Sequence, residues 1–112
     1  VKARPYSLLA ISILLPVTVA SAASSEQGRM KTTALACLKN AYVDQLERVK
    51  DDKAALQKLI VMLMAGGECQ AVEQGTLVKI DGGSLYHGTF CIRPQGEISC
   101  LWTLVQSVEI VH

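Results

Sequence analysis

Apolar positions recur with two different periods along this chain, and the change of period divides it. No glycine or proline occurs between Arg29 and Ala65, and Leu35, Leu38, Tyr42, Leu46 and Val49 fall three or four residues apart. That spacing is one face of an amphipathic helix and predicts a helix through about Val49. In the following stretch, KDDKAALQKLIVMLMAGG, Asp51 or Asp52 stands where an N-cap belongs, helix formers and Leu56, Leu59, Ile60 and Leu63 follow, and Gly66-Gly67 closes it. The two stretches predict a helical hairpin over about 29–65. A rival pattern runs through them, because Leu35, Tyr42, Val49, Leu56 and Leu63 lie seven apart and could form the seam of one long helix. Its intervening positions are poorer: Leu38 and Leu59 fit, Gln45 and Asp52 do not.

Beyond Cys69 the period falls to two and β-branched residues gather: TLVKI at 76–80, TFCIR at 89–93, EISCLWT at 97–103 and SVEIV at 107–111. Turn residues separate them, with Gly75 before the first, Asp81-Gly82-Gly83 and Gly88 before the second, and Pro94-Gln95-Gly96 before the third. Short strands so closely spaced predict a small, strongly bent sheet or partly closed barrel over about 69–112. The fold class that follows is α+β, an N-terminal helical hairpin packed on a small C-terminal antiparallel β-barrel-like sheet.

A third pattern precedes both. Lys2 and Arg4 are followed by an apolar stretch from Leu8 to Val19 and then by Ala20-Ser21-Ala22. This is the layout of a signal peptide over 1–22, with cleavage after Ala22. A run of roughly a dozen residues broken by Pro16 is too short for a spanning helix, which needs about 20, so membrane attachment is expected only through an uncleaved leader. Residues 23–112 then form one mature domain, periplasmic or secreted. With Lys2 and Arg4 removed, nine Lys and Arg stand against ten Asp and Glu, a formal net charge of −1 that steers away from nucleic acid.

A 90-residue mature chain has a marginal core, so its four cysteines, Cys37, Cys69, Cys91 and Cys100, change the picture. An even number in an oxidising compartment reads as two disulfides. In CIRPQGEISC, a hairpin centred between Gln95 and Gly96 sets Cys91 opposite Cys100. A three-residue turn, with Pro94 at its second position and Gly96 left-handed, would send the two sulfurs to opposite faces. Local turn chemistry favours the second arrangement, and the pairing of all thiols favours the first. The expected bridges are Cys91–Cys100 and, by elimination, Cys37–Cys69, which a folded-back helical hairpin permits and a single long helix does not. No two cysteines have the two-residue spacing of a thioredoxin-like site, and Cys69, His87, Cys91 and Cys100 match no compact zinc knuckle.

The run GGECQAVEQGTLVKID…GTFCIRPQGEISCLWT resembles the small Src-homology-three-like barrels of bacterial envelope proteins, through Gly75, Thr76, Val78, Arg93, Gly96, Trp102 and Thr103. The preceding ACLKNAYVDQLERVKDDKAALQKLIVMLMAGGEC is similar to the helical segment before such barrels in short exported bacterial proteins. The resemblance covers about residues 36–103 and implies a noncatalytic interaction module; it transfers no ligand, and the Cys91 and Cys100 pair lies outside the general barrel pattern.

Catalytic chemistry finds little purchase. His87 and His112 have no nucleophile at a suggestive spacing, Asp51-Asp52 is better read as a cap than as paired catalytic carboxylates, and Gly82-Gly83 lies between strands rather than before a helix. No cofactor or metal is expected. The sequence reading is therefore a noncatalytic binding or assembly module of the bacterial cell envelope, contacting an envelope protein or cell-wall polymer. Its candidate contact residues are Leu85, Tyr86, His87, Arg93 and Trp102, aromatic and arginine side chains being enriched where few contacts carry most binding energy. The alternative is a periplasmic enzyme inhibitor or small enzyme acting through the Tyr86/His87 loop. The seven-residue pattern also offers a homodimer through the helices.

Overall fold

The computed structural model describes residues 26–112, so the expected leader and its cleavage site lie outside the described residues. Two strands come first, β1 (Glu26–Met30) and β2 (Ala34–Cys37). Helices α1 (Asn40–Arg48) and α2 (Lys53–Ala65) follow, and then β3 (Cys69–Val72), β4 (Leu77–Ser84), β5 (Thr89–Pro94), β6 (Leu101–Leu104), a 3-10 turn (Val105–Ser107) and β7 (Val108–Val111). The seven strands form one antiparallel sheet in the order β3-β2-β6-β5-β4-β1-β7.

The α+β class and the helix pair agree with the sequence reading, but the pair is not N-terminal. Residues 29–37, expected to be helical, lie mostly in β1 and β2, and the helices are an insertion between β2 and β3. Leu35 misled because it packs, from a strand, against the same buried cluster as Tyr42 and Leu46 of its apparent stripe. Alternation decides the local structure. Ala36 faces the sheet's own core, whereas Leu35 and Cys37 face the helices. The single long helix is also excluded, since the chain leaves helical geometry at Val49–Asp52 and starts again with Asp52 as N-cap, its carboxylate accepting the Ala55 N–H at 3.1 Å. Such a cap is worth about 1 kcal/mol.

The sheet separates two buried clusters. On one side Met30, Ala36, Val72, Val78, Ile80, Phe90, Ile92, Leu101 and Val108 form the main core. Val72 belongs to the strand at one end of the sheet and Val108 to the strand at the other, so the sheet curls until both ends share that core. The barrel is nevertheless not closed, because among the described residues β3 pairs only with β2 and β7 only with β1. On the other side, Cys37, Cys69, Trp102 and Leu104 pack against Val43, Tyr42 and Leu46 of α1 and Leu59 and Leu63 of α2. The Thr103 hydroxyl, buried on the core side, donates to the Leu35 carbonyl at 2.9 Å.

Both expected disulfides are present, although neither sits where the sequence placed it. Cys37 is on β2 rather than on a helix and lies directly opposite Cys69 of β3. Because the Leu38 N–H donates to the Glu68 carbonyl at 2.8 Å, the 37/69 pair next to it is a non-hydrogen-bonded one, where side chains approach most closely; the Cα atoms are 3.9 Å apart. Cys91 faces Trp102, not Cys100. The turn centred between Gln95 and Gly96 closes, with Glu97 N–H donating to the Pro94 carbonyl at 3.0 Å and Gly96 at φ 92°, but the tight hairpin does not continue from it: β5 runs on to Pro94 while 97–100 lie outside the strands. Cys100 is two residues short of Trp102, which keeps it on the same face as Cys91 and allows the bridge.

Candidate functional site

The β4–β5 hairpin is built around a conformational requirement. Its register shifts between Ile80 and Gly82, leaving Asp81 as a bulged residue. Gly83 then has φ 87°, and a Cβ there would collide with the Thr89 carbonyl and lie 2.8 Å from the Phe90 Cα. Gly82 and Gly83, expected as loop residues, are therefore inside β4 at its bend.

The bend leads into the turn that carries Leu85, Tyr86 and His87. His87 N–H reaches the Ser84 carbonyl at 3.2 Å and the Ser84 hydroxyl oxygen at 3.2 Å, while Gly88 N–H reaches the carbonyls of Ser84 at 3.1 Å and Leu85 at 3.3 Å. The Ser84 hydroxyl, accepting from the backbone, is also hydrogen-bonded to His87 Nδ1 at 2.9 Å. Gly88 at φ 85° closes the turn, and its carbonyl accepts from Val105 N–H at 3.0 Å, tying the loop to the end of β6. On this held backbone Tyr86 is 93% exposed and Leu85 69%. The rings of Tyr86 and His87 meet edge to face with centroids 5.3 Å apart.

Arg93 stands four residues further along β5, on the outer face beside Lys79. Its Nε donates to Asp81 Oδ2 at 2.8 Å and its Nη2 to Oδ1 at 3.5 Å, a forked pair made by the bulge that puts Asp81 there. The hydrogen bond that Arg93 donates to Asp81, then the Asp81 charge, hold the Arg93 pKa above the ordinary arginine value. A shallow depression of about 280 Å³ lies here, with Gln27, Leu77, Lys79, Arg93 and Gln95 among its lining. Trp102 is elsewhere: paired with Cys37 on one side and Cys91 on the other, it lies between the two disulfide-bearing strands and packs into the helix-side cluster. The five candidate residues thus fall into three places, namely an exposed turn, an ion-paired outer strand position and a half-buried brace.

A second apolar surface escaped the sequence reading. Val61, Met62 and Met64 of α2 are exposed, Met62 by 66%. The signal was present in LIVMLM, which is apolar around more of the helix than one buried face requires. Next to it, Lys53, Leu56, Gln57, Ile60 and Val61 line a groove of about 410 Å³.

All four cysteines are in disulfides, which removes the thiolates that a zinc site would have used. Among the described residues no three His, Cys, Asp or Glu side chains gather as a metal site would need, and no helix is long and apolar enough to cross a membrane. The bridges themselves fit an oxidising compartment. Compared with protein-family models, with curated proteins and with solved structures, the chain matches none.

Proposed function

We propose that this is a noncatalytic binding or assembly module of the bacterial cell envelope, exported, cleaved after Ala22, and engaging a protein or wall polymer through the Ser84–Gly88 turn. The observation that carries the reading is the combination of order and exposure at that turn: two large side chains, Leu85 and Tyr86, stand in solvent on a backbone closed by hydrogen bonds from both ends. A preorganised aromatic loses little conformational entropy on binding, so it returns more affinity per contact than a mobile loop. Arg93, already paired with Asp81, serves as a fixed charge beside the contact surface rather than as its anchor, and Trp102 braces the sheet. The Src-homology-three-like relationship remains part of this proposal, supported by the small curled antiparallel sheet.

A second reading draws on the same turn. A rigid protruding loop is what an enzyme inhibitor inserts into a cleft, and Tyr86 at its tip is the residue that would enter. Capture of partners by the parent domain and by folded Tyr86→Ala and Leu85→Ala variants, from envelope extract and from purified wall material, tests both. Loss of an extract partner by the variants supports a protein target, and loss of wall binding supports a polymer. A captured partner with hydrolase activity that the parent suppresses points to the inhibitor. Undiminished capture by both variants removes the turn as the contact site.

A further inference from the structure

Among the described residues β7 pairs with β1 alone, and the hydrogen-bonding groups on its other edge can be assigned. Lys31 N–H donates to the Ser107 carbonyl at 2.8 Å, which makes 31/107 a hydrogen-bonded pair. By antiparallel alternation 29/109 and 27/111 are hydrogen-bonded as well, so Val108 and Ile110 turn their backbone groups away from β1. Val108 N–H is already used, donated to the Val105 carbonyl of the 3-10 turn. What remains on the edge is the carbonyl of Val108 together with the N–H and carbonyl of Ile110, and, two residues on at the same parity, the N–H of His112.

We infer that this edge pairs with the same edge of a second copy, antiparallel, with the two-fold axis at Ile110. In that register Ile110 N–H and carbonyl exchange two hydrogen bonds with Ile110 of the other copy. Each Val108 carbonyl accepts from His112 N–H of the other copy, while the occupied Val108 N–H forgoes only the bond to the His112 carbonyl, so four bonds cross the seam. The neighbouring register, with its axis at Glu109, pairs Val108 with Ile110, so the occupied Val108 N–H leaves the Ile110 carbonyl bare and only two bonds across the seam, and it sets two Glu109 carboxylates face to face, an unfavourable like-charge pair. Centring on Ile110 instead places Glu109 opposite Val111. The two half-exposed Ile110 side chains then meet on the side of the sheet that faces the core. The strand VEIV has none of the proline or lysine that commonly blocks edge pairing, and its single charge is accommodated by the register.

Sedimentation of the exported protein from about 10 µM to about 1 mM tests this, with folding followed by circular dichroism. The parent is expected to dimerise reversibly. Ile110→Pro removes the central donor yet spares the bonds to β1, which are made by 107, 109 and 111, and is expected to be a folded monomer. Val111→Lys, facing Glu109 of the other copy, should tighten the dimer about two- to thirtyfold, and Val111→Glu should weaken it by a similar factor, from two symmetric cross-strand charge pairs. Those two surface variants decide the matter if Ile110→Pro does not fold. A parent that stays monomeric throughout, a folded Ile110→Pro that still dimerises, or Val111 variants that shift the equilibrium in the same direction would each overturn the inference. So would a dimer abolished by Val61→Gln, which belongs to the helix face.

Discussion

Replacing Gly28 with alanine adds one methyl group at a crowded point of the core. Gly28 faces the core from β1, between β4 and β7, opposite Val78 on one side and Ile110 on the other. A Cβ built there lies 2.8 Å from Val108 Cγ1, 3.1 Å from Ile80 Cδ1 and 3.2 Å from the Glu109 carbonyl oxygen. Two effects oppose each other. Alanine reduces the freedom of the unfolded chain, which stabilises by about 0.4–1 kcal/mol where the backbone tolerates it. Overpacking a closed core destabilises by about 1–3 kcal/mol, and here the first obstacle is a branched, buried valine that cannot swing clear. The clash wins, leaving a net loss of about 0.5–2 kcal/mol, or roughly 2–16 °C in Tm for a domain of this size. Val108→Ala alone should also destabilise, by opening a cavity. Combined, the two should be less destabilised than the sum of the singles by about 1 kcal/mol or more, because the methyl removed from Val108 is the one the alanine strikes. Urea unfolding of the four proteins measures this coupling. Additive losses, or a Gly28→Ala protein as stable as the parent, would refute the packing described for β1.

Two further outcomes follow. Removing Cys37 and Cys69 together releases a sequence separation of 32, against 9 for Cys91 and Cys100. On the loop-entropy model the first loss is about 3–4 kcal/mol and the second about 2.5–3 kcal/mol, so denaturant midpoints should fall further for the first pair, and the reverse order would contradict it. Tyr42 has its pKa raised, first by its hydrogen bond to Glu68, then by burial and by the Glu68 charge. A folded pKa above the unfolded value of about 10 means stability fully present below pH 10 and lost as pH rises through the higher folded value. Tyr42→Phe should therefore flatten the alkaline end of the stability–pH curve, and an unchanged slope above pH 10 would show that Tyr42 does not supply it.

Where a local signal coincided with a local interaction, the sequence was legible. Asp52 followed by helix formers and ended by Gly66-Gly67 marks α2 because capping is decided within one turn of chain. The disulfide partners were likewise accessible, since face parity survives a two-residue change of register. The register itself was not, because Pro94-Gln95-Gly96 permits several turns and the choice depends on Trp102 fitting between Cys37 and Cys91, a contact across three strands. β1 was hidden for a related reason. EQGRM has two inward positions, Gly28 and Met30, and the glycine is there for closeness to Val108 rather than for apolarity, so no alternating pattern shows. Of the candidate site, Tyr86 and Leu85 were legible as loop residues, whereas the forked Arg93–Asp81 pair depends on a bulge that Asp81-Gly82-Gly83 signals only as a generic turn.

The partner contact proposed for the Ser84–Gly88 turn can be trapped covalently. The most direct measurement places a photoreactive phenylalanine at position 86 and, separately, at Leu77, an exposed position on the outer face away from the turn, and irradiates each folded protein with envelope extract and with wall material. A defined adduct from position 86, absent from position 77 and suppressed by excess unlabelled parent but not by excess Tyr86→Ala, is the predicted result. Equal labelling from both positions, or labelling that Tyr86→Ala suppresses as well as the parent does, would contradict it.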